Sequence, residues 1–332
     1  MADPRHARVT GPLLITGATG FVGRHLTARL DADGIAWSGL DRPAQVQAAD
    51  RPDRLTSWEL GGPDSDAPQR LARLIGDGAV GGVVHLAGQS SAGASFGDPA
   101  GTMRANLGGT LELLEALRAL QAAGRPVPVT LVVGSAEEYG AAAPRADRCR
   151  EDQAILPISP YGTSKAAATL LCGHYRRAFG LPVIAARAFS HTGPGQDERF
   201  VFPSFAAQIA AIEAGRADPV IRVGDLSPDR DYLDVRDVVH AYLALLASGE
   251  PGRIYNVCSG SSLTIRQGLE ILLGLSSVAV RIESDPARLR PVDIPRLVGD
   301  PSRLEQATGW TPRVDFADTL RDLLEAARRN LI

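Results

Sequence analysis

Between Pro12 and Ile184 short apolar runs alternate with longer stretches of helical periodicity, and few architectures accommodate that alternation. The runs Leu13–Thr16, Ala36–Leu40, Val83–Leu86, Val129–Val133 and Val183–Arg187 are four or five residues long and apolar on both faces. Strands of that kind need cover on both sides, which places them in a parallel sheet flanked by helices. The segments Val22–Leu30, Met103–Ala119 and Ser164–Phe179, with apolar residues three and four apart, supply those helices. Successive βαβ units follow, hence an α/β chain on a doubly wound parallel sheet.

After Ala188 the character changes. Gly- and Pro-rich turns at His191–Gln196, Leu226–Arg230 and Pro286–Pro295 surround one clear helix, Phe202–Ala214, and read as a smaller α/β domain over the sheet. Val235–Leu246 is again a helix pattern and Ile254–Asn256 an apolar strand, so the chain is expected to re-enter the first domain. Residues 1–187, with 232–258 returning, then form one domain, and 188–231 with 259–332 the second.

Composition removes several classes. A formal net charge of −3 leaves no basic surplus for a nucleic-acid backbone or an anionic membrane. There is no secretory leader pattern and no run of 18 apolar residues. Cys149, Cys172 and Cys258 are too few and too scattered for a disulfide framework or a zinc site, and the six histidines show no ligand spacing. The expected setting is the reducing cytoplasm, with no metal, membrane or nucleic-acid partner.

The chemistry begins directly after the first strand, at Thr16-Gly17-Ala18-Thr19-Gly20-Phe21-Val22-Gly23. Glycines at 17 and 20 let the backbone turn tightly and approach a pyrophosphate, and Gly23 lets the following helix pack against the strand. That helix's N-terminus offers amide donors and a positive dipole. Asp41, ending the second strand, is placed to accept from both hydroxyls of an adenosine ribose. Its carboxylate repels a 2′-phosphate whereas the adjacent Arg42 would bind one, so the reading favours NAD, with NADP as the alternative. The fold expected is therefore Rossmann-type.

A second cluster is Ser159-Pro160-Tyr161-Gly162-Thr163-Ser164-Lys165. Of 35 basic residues only Lys165 is a lysine, and six tyrosines give about a 2% chance that one precedes it by four. Tyr161 and Lys165 lie one helical turn apart on one face. A phenol is a poor acid or base at neutral pH unless a cation favours the phenolate, and the Lys165 ammonium is expected to do that. The ammonium can also bridge the hydroxyls of a nucleotide ribose. Ser135, at the end of the fourth long strand in Gly134-Ser135-Ala136-Glu137-Glu138-Tyr139-Gly140, brings a hydroxyl to the edge where open parallel sheets bind ligands. Ser135, Tyr161 and Lys165 form a set for moving hydride to or from a carbon that bears oxygen.

With these motifs the chain, from Leu13 to about Leu324, resembles the extended short-chain dehydrogenase/reductases, the NAD-dependent epimerase/dehydratase group acting on nucleotide sugars. The resemblance implies catalysis by Ser135, Tyr161 and Lys165, with Glu137 added in the dehydratases, where it takes a proton from sugar carbon 5. For the cofactor it implies Gly17, Thr19, Gly20, Phe21, Val22, Gly23, Asp41, Arg42, Glu59, Leu60, Leu86, Ala87 and Gly88, together with Tyr161 and Lys165. For the sugar nucleotide it implies Gln89, Ser135, Ser190 and His191, with Arg230 and Arg290 on the diphosphate and Asp293 on a ribose. The helices Met103–Ala119 and Ser164–Phe179 resemble the pair that forms a homodimer in this group.

The segments GSAEEYG, FSHTGPGQ, VGDLSPDRDYLDVRD, YNVCSG and LRPVDIPRLVGD look like those of GDP-4-keto-6-deoxy-D-mannose reductases, relatives of the GDP-mannose 4,6-dehydratases. The first activity reduces carbon 4 of a GDP-linked keto sugar to GDP-D-rhamnose. Ala136, which has no proton to give, Ser135 in a slot that is Thr in dehydratases, and the TGATGFVG turn favour reductase; dehydratase or epimerase stays open beside it. A silent NAD(P)-binding sensor is a third reading, although both Tyr161 and Lys165 stand in place. The chain departs from its group at Ser190 for Asn, Glu59 for Asp and Gly88 for Ala.

Overall fold

The structure, a computed structural model, describes residues 11–62, 64–289 and 292–331. From β1 (Leu13–Thr16) the chain runs through α1 (Phe21–Ala32), β2 (Trp37–Asp41), a short α2 (Pro43–Gln47), β3 (Leu55–Ser57), α3 (Ala67–Asp77) and β4 (Gly82–His85). Next come α4 (Ala92–Ser95), α5 (Pro99–Met103), α6 (Gly109–Ala122), β5 (Val129–Ser135), α7 (Pro160–Phe179) and β6 (Val183–Ala188). The remainder holds β7 (Ser190–Thr192), α8 (Val201–Glu213), β8 (Val220–Val223), β9 (Asp229–Arg230), β10 (Tyr232–Asp234) and α9 (Val235–Ser248). It ends with β11 (Ile254–Val257), β12 (Leu263–Thr264), α10 (Ile265–Gly274), β13 (Arg281–Ser284), β14 (Arg296–Leu297), α11 (Ser302–Thr308) and α12 (Phe316–Arg329).

Seven strands form one all-parallel sheet in the order β11-β6-β5-β4-β1-β2-β3. The fold is Rossmann-type, as the alternation of the sequence implies. One face is covered by α1 and α9, through Leu26, Leu30, Val238, Tyr242 and Leu245. The other face packs against α3, α6 and α7 through Leu71, Ile75, Leu113, Leu117 and Cys172. β11 pairs with β6, so a strand reached only after the excursion through β7–β10 closes the sheet. A separate core of Phe202, Phe205, Ile209, Leu269, Leu272 and Leu320 joins α8, α10 and α12.

Three features differ from the sequence reading. Nothing was expected between Leu40 and Val83, yet β3 and α3 lie there. β3 is a half-exposed edge strand, without the two-faced apolar signature of the others, and α3 buries only a narrow stripe of Ala67, Leu71, Ala72 and Ile75. The single helix expected over Met103–Ala119 is instead α5 and α6 joined through a π-turn, Arg104–Gly108. The close approach of Gly61 explains the wider turn: a Cβ there would lie 2.3 Å from the Arg104 carbonyl oxygen and 2.9 Å from the Gly109 nitrogen.

The segment after β6 is tied together by charge as well as apolar packing. Glu213, ending α8, accepts from Arg328 Nε and Nη2 of α12, both at 2.7 Å, and from the Ser276 hydroxyl at 2.8 Å. The guanidinium, the first cause, pulls the Glu213 carboxyl down to about 2. A carboxyl depressed in the folded state contributes stability above its unfolded value near 4.5, and loses it as pH falls through about 2. Glu213→Gln is expected to cost on the order of 1–2 kcal/mol at pH 7 after solvent screening, with the gap to the parent closing below about pH 3. Urea unfolding across that range tests this; a gap independent of pH contradicts it.

Candidate active site

The strand order reverses between β1 and β4, and the ends of those two strands meet closely. Gly17 has φ +74°, and a Cβ on it would sit 2.9 Å from the Ala87 nitrogen. A Cβ on Gly23 would stand 2.3 Å from the Gly17 carbonyl oxygen. The Gly17 N–H is anchored on the Leu40 carbonyl at 2.8 Å, so the turn is bare backbone leading into the unpaired amides of α1. Thr19 donates from its N–H (2.9 Å) and hydroxyl (2.6 Å) to Asp41 Oδ2, which sets the Asp41 carboxylate beside the glycine turn. Phe21 and Val22 are half-buried on the first turn of α1, and Arg42 is exposed next to Asp41. Glu59 is exposed just beyond β3, while Leu60 is half-buried, its loop held by Glu112 through Trp58 Nε1 (2.7 Å) and the Gly61 N–H (2.8 Å).

Under the crevice lies a neutral polar stack. Ala87 donates its N–H to Thr16 Oγ1 (3.1 Å), Thr16 Oγ1 pairs with His85 Nδ1 (2.8 Å), and His85 Nε2 meets Thr110 Oγ1 (3.3 Å). Burial, reinforced by the nearby Lys165, drives the His85 imidazole down to about 3, so it is uncharged. Leu86 continues the half-buried rim, and Gly88, at φ +153°, lies where a Cβ would be 3.8 Å from Lys165 Nζ.

Three catalytic candidates converge at the ends of β5 and α7. Ser135 caps the 3-10 turn Ala136–Glu138, its hydroxyl accepting the Glu137 N–H at 3.2 Å, and it stands near the Tyr161 phenol. The N-cap of α7 is Ser159, which accepts the Gly162 N–H at 3.0 Å and so places Tyr161 and Lys165 on the first two turns. Lys165 Nζ donates to the Val133 carbonyl at 2.8 Å. Burial draws this amine down to about 8, against the pull of Glu138.

The Tyr161 phenol behaves differently from the sequence expectation. Burial lifts it to about 12, partly offset by the nearby Ser135 side chain, and Glu137 and Glu138 raise it further. The Lys165 ammonium donates to the Val133 carbonyl in this structure, and the phenol stays protonated at neutral pH. Glu137 is half-buried beside this ring.

On the sugar side, Gln89 is braced on Ser91 from both amide atoms (2.7 and 2.9 Å). Ser190 and His191 sit half-buried on β7, parallel to β10, with the His191 ring stacked on Phe21 at 6.3 Å. The buried Arg230 donates to Asp293 Oδ1 at 2.6 Å and to its neighbour's carbonyl, Asp229 O, at 3.0 Å. Two residues assigned separately to diphosphate and ribose therefore face one another. Asp231 fixes the strand carrying Arg230, taking the N–H groups of Ser259 (2.8 Å), Gly260 (2.9 Å) and Gly299 (3.2 Å). Arg290 lies outside the described residues.

A family model described as GDP-mannose 4,6 dehydratase matches residues 14–323. The chain belongs to this family of extended short-chain dehydrogenase/reductases. It is 39% identical over 316 residues to the GDP-6-deoxy-D-mannose reductase of Pseudomonas aeruginosa, covering 95% of this chain and 97% of that one. A solved structure of RMD from Pseudomonas aeruginosa complexed with NADPH superposes with a TM-score of 0.81 at 37% identity, over 97% of this chain and all of the other. The Thermus thermophilus UDP-glucose 4-epimerase in complex with NAD superposes at 0.82, with 28% identity over 96% of this chain and 99% of that one.

In this member of the family several site residues escape a reading of the sequence. Asn106, 1% exposed in the π-turn, accepts the Gln89 N–H at 2.8 Å and donates to the Gln89 carbonyl (3.2 Å) and Ser164 Oγ (2.8 Å). Ser164 in turn donates to the Tyr161 carbonyl at 2.7 Å, so one amide ties the loop after β4 to the first turn of α7. A poor helix former followed by Gly108 and Gly109 inside an apolar periodic run was the available signal. Asn106→Ala is expected to cost about 1–3 kcal/mol, because it leaves the part-buried Gln89 N–H and carbonyl without their partner and removes the donor to Ser164 Oγ. Urea unfolding measures this; a loss below about 0.5 kcal/mol contradicts the bracing role.

Proposed function

We propose that this chain reduces the 4-keto group of GDP-4-keto-6-deoxy-D-mannose to GDP-D-rhamnose with NAD(P)H. End-to-end similarity to a GDP-6-deoxy-D-mannose reductase supports the substrate class. The observation that carries the reading is the convergence of Ser135, Tyr161 and Lys165 at the end of β5 and the start of α7, with burial keeping the Tyr161 phenol protonated. Reduction of a ketone needs an acid at the oxygen, and this environment keeps the proton on the phenol.

The glycine turn fits a dinucleotide, since a Cβ at Gly17 or Gly23 would strike backbone. Gly17, Gly20 and Gly23 then border the pyrophosphate, Asp41 the adenosine ribose, and Ala87, Gly88 and Lys165 the nicotinamide ribose. Bound there, the dinucleotide supplies hydride to carbon 4. Ser135 donates to the carbonyl oxygen and orients it. Tyr161 delivers its proton to that oxygen as the alcohol forms, and the Lys165 ammonium offsets the negative charge left on the phenol. Asp41 favours NADH and Arg42 provides the guanidinium that NADPH would use, so both reductants serve. Arg230 spends two of its five donors on Asp229 and Asp293 and keeps others for a diphosphate.

Glu137 beside the Tyr161 ring favours a second reading, dehydration of GDP-mannose with the carboxylate as base. A homodimer accompanies either reading, supported by Leu111 on α6 and Leu170 on α7, which expose 42% and 62% of their surface. Tyr161→Phe is expected to lower reduction of the keto sugar by about 100-fold or more while leaving dinucleotide affinity within about threefold. Loss of reductant absorbance together with product NMR reads both reactions. A parent that binds the dinucleotide and reduces no nucleotide sugar refutes the proposal, and conversion of GDP-mannose without added reductant selects the dehydratase.

A further inference from the structure

Glu138, fully buried one residue past Glu137, has a carboxylate that none of the roles above uses. Its Oε1 accepts from the Ser135 N–H at 2.9 Å and the Thr169 hydroxyl at 3.0 Å, and its Oε2 accepts from Arg187 Nε at 2.8 Å. Arg187, 3% exposed on β6, is itself held by the Glu151 carbonyl (3.2 Å) and by the Tyr139 ring and hydroxyl. Gly134 makes the room: a Cβ on it would stand 2.3 Å from Glu138 Oε1 and 2.9 Å from Thr169 Oγ1. Thr169 and Lys165 are one turn apart on α7, so the carboxylate and the amine share the floor under the end of β5.

We propose that Glu138, held by Arg187, is the positioning residue of the centre: it fixes Ser135 through that residue's backbone N–H and sets a negative charge behind the Lys165 ammonium. The proposal rests on Ser135, Tyr161 and Lys165 being the reacting set. A buried ion pair is a poor device for stability alone, because apolar replacements of similar volume often fold as well or better. The placement of this pair answers a different need. The groups facing Lys165 are Glu138 from the turn after β5, His85 from β4, and Tyr161 and Cys172 from its own helix. Burial keeps His85 neutral, at about 3, and lifts Tyr161 and Cys172 to about 12. Glu138, itself facing Arg187, Lys165, Tyr161 and Cys172, is the counter-charge that remains: burial raises its carboxyl, and the Arg187 guanidinium with the Ser135 and Thr169 donors pulls it back toward the charged form.

Because the chain has one lysine, protein labelled with [ε-13C]lysine gives a single lysine resonance whose pH titration reports Lys165 without any turnover. The parent is expected to titrate at about 8. In Glu138→Gln, and in the double variant Glu138→Leu/Arg187→Met, which keeps the volume should the single change fail to fold, the midpoint falls by about one unit. The alkaline limb of kcat/KM moves down with it, and kcat drops about tenfold or more while KM for the nucleotide sugar stays within about threefold. A folded variant whose lysine midpoint, kcat and pH profile all match the parent overturns the proposal. If the parent reduces no nucleotide sugar, the functional reading fails, and the lysine titration still decides whether Glu138 acts on Lys165.

Discussion

Two stretches of backbone, the Gly17 turn after β1 and the Leu86–Ala87 segment after β4, approach so closely that no side chain fits between them. The crevice of the sheet exists because of that approach. The chain travels outward from β1 to β3, returns across to β4, and leaves a gap at the carboxyl ends where the order reverses. Thr16, His85 and Thr110 stack beneath the gap, and Asn106 ties its far rim to the helix that carries Tyr161 and Lys165. Backbone proximity at one point thus places the Gly17 turn, the Asp41 carboxylate and the Tyr161 phenol in fixed relation.

Charge is distributed around the crevice with equal economy. Burial holds the imidazole, thiol and phenol nearest the centre uncharged and draws Lys165 down to about 8. A phenol in such surroundings retains its proton, and one facing a substrate carbonyl can release it as negative charge develops on that oxygen. The same environment that costs desolvation therefore selects proton donation over abstraction in the resting protein.

Much of this was legible in the sequence, and the parts that were not share a physical cause. Apolar two-faced strands announced the parallel sheet, and the Gly17–Gly23 turn and the Tyr161–Lys165 spacing stood out because each needs residue types that nothing else explains. β3 escaped because an edge strand need not be apolar, and α3 because its buried stripe is narrow. The π-turn at Asn106 depends on Gly61, which is distant in sequence. Glu138 and Arg187 are 49 residues apart and look like ordinary surface charges until the fold buries them together. The expectation that Lys165 acidifies Tyr161 came from spacing alone, whereas the ammonium's actual direction is decided by the Val133 carbonyl.

The most direct test of the account is a crystal structure of the protein with NADPH and the reduced GDP-6-deoxyhexose product. The account predicts the product's C4 hydroxyl within hydrogen-bond reach of both Tyr161 and Ser135, the nicotinamide ring against its other side, and the diphosphate on Arg230. A dinucleotide seated in the crevice with its nicotinamide far from the Tyr161 oxygen and the Lys165 amine would contradict it.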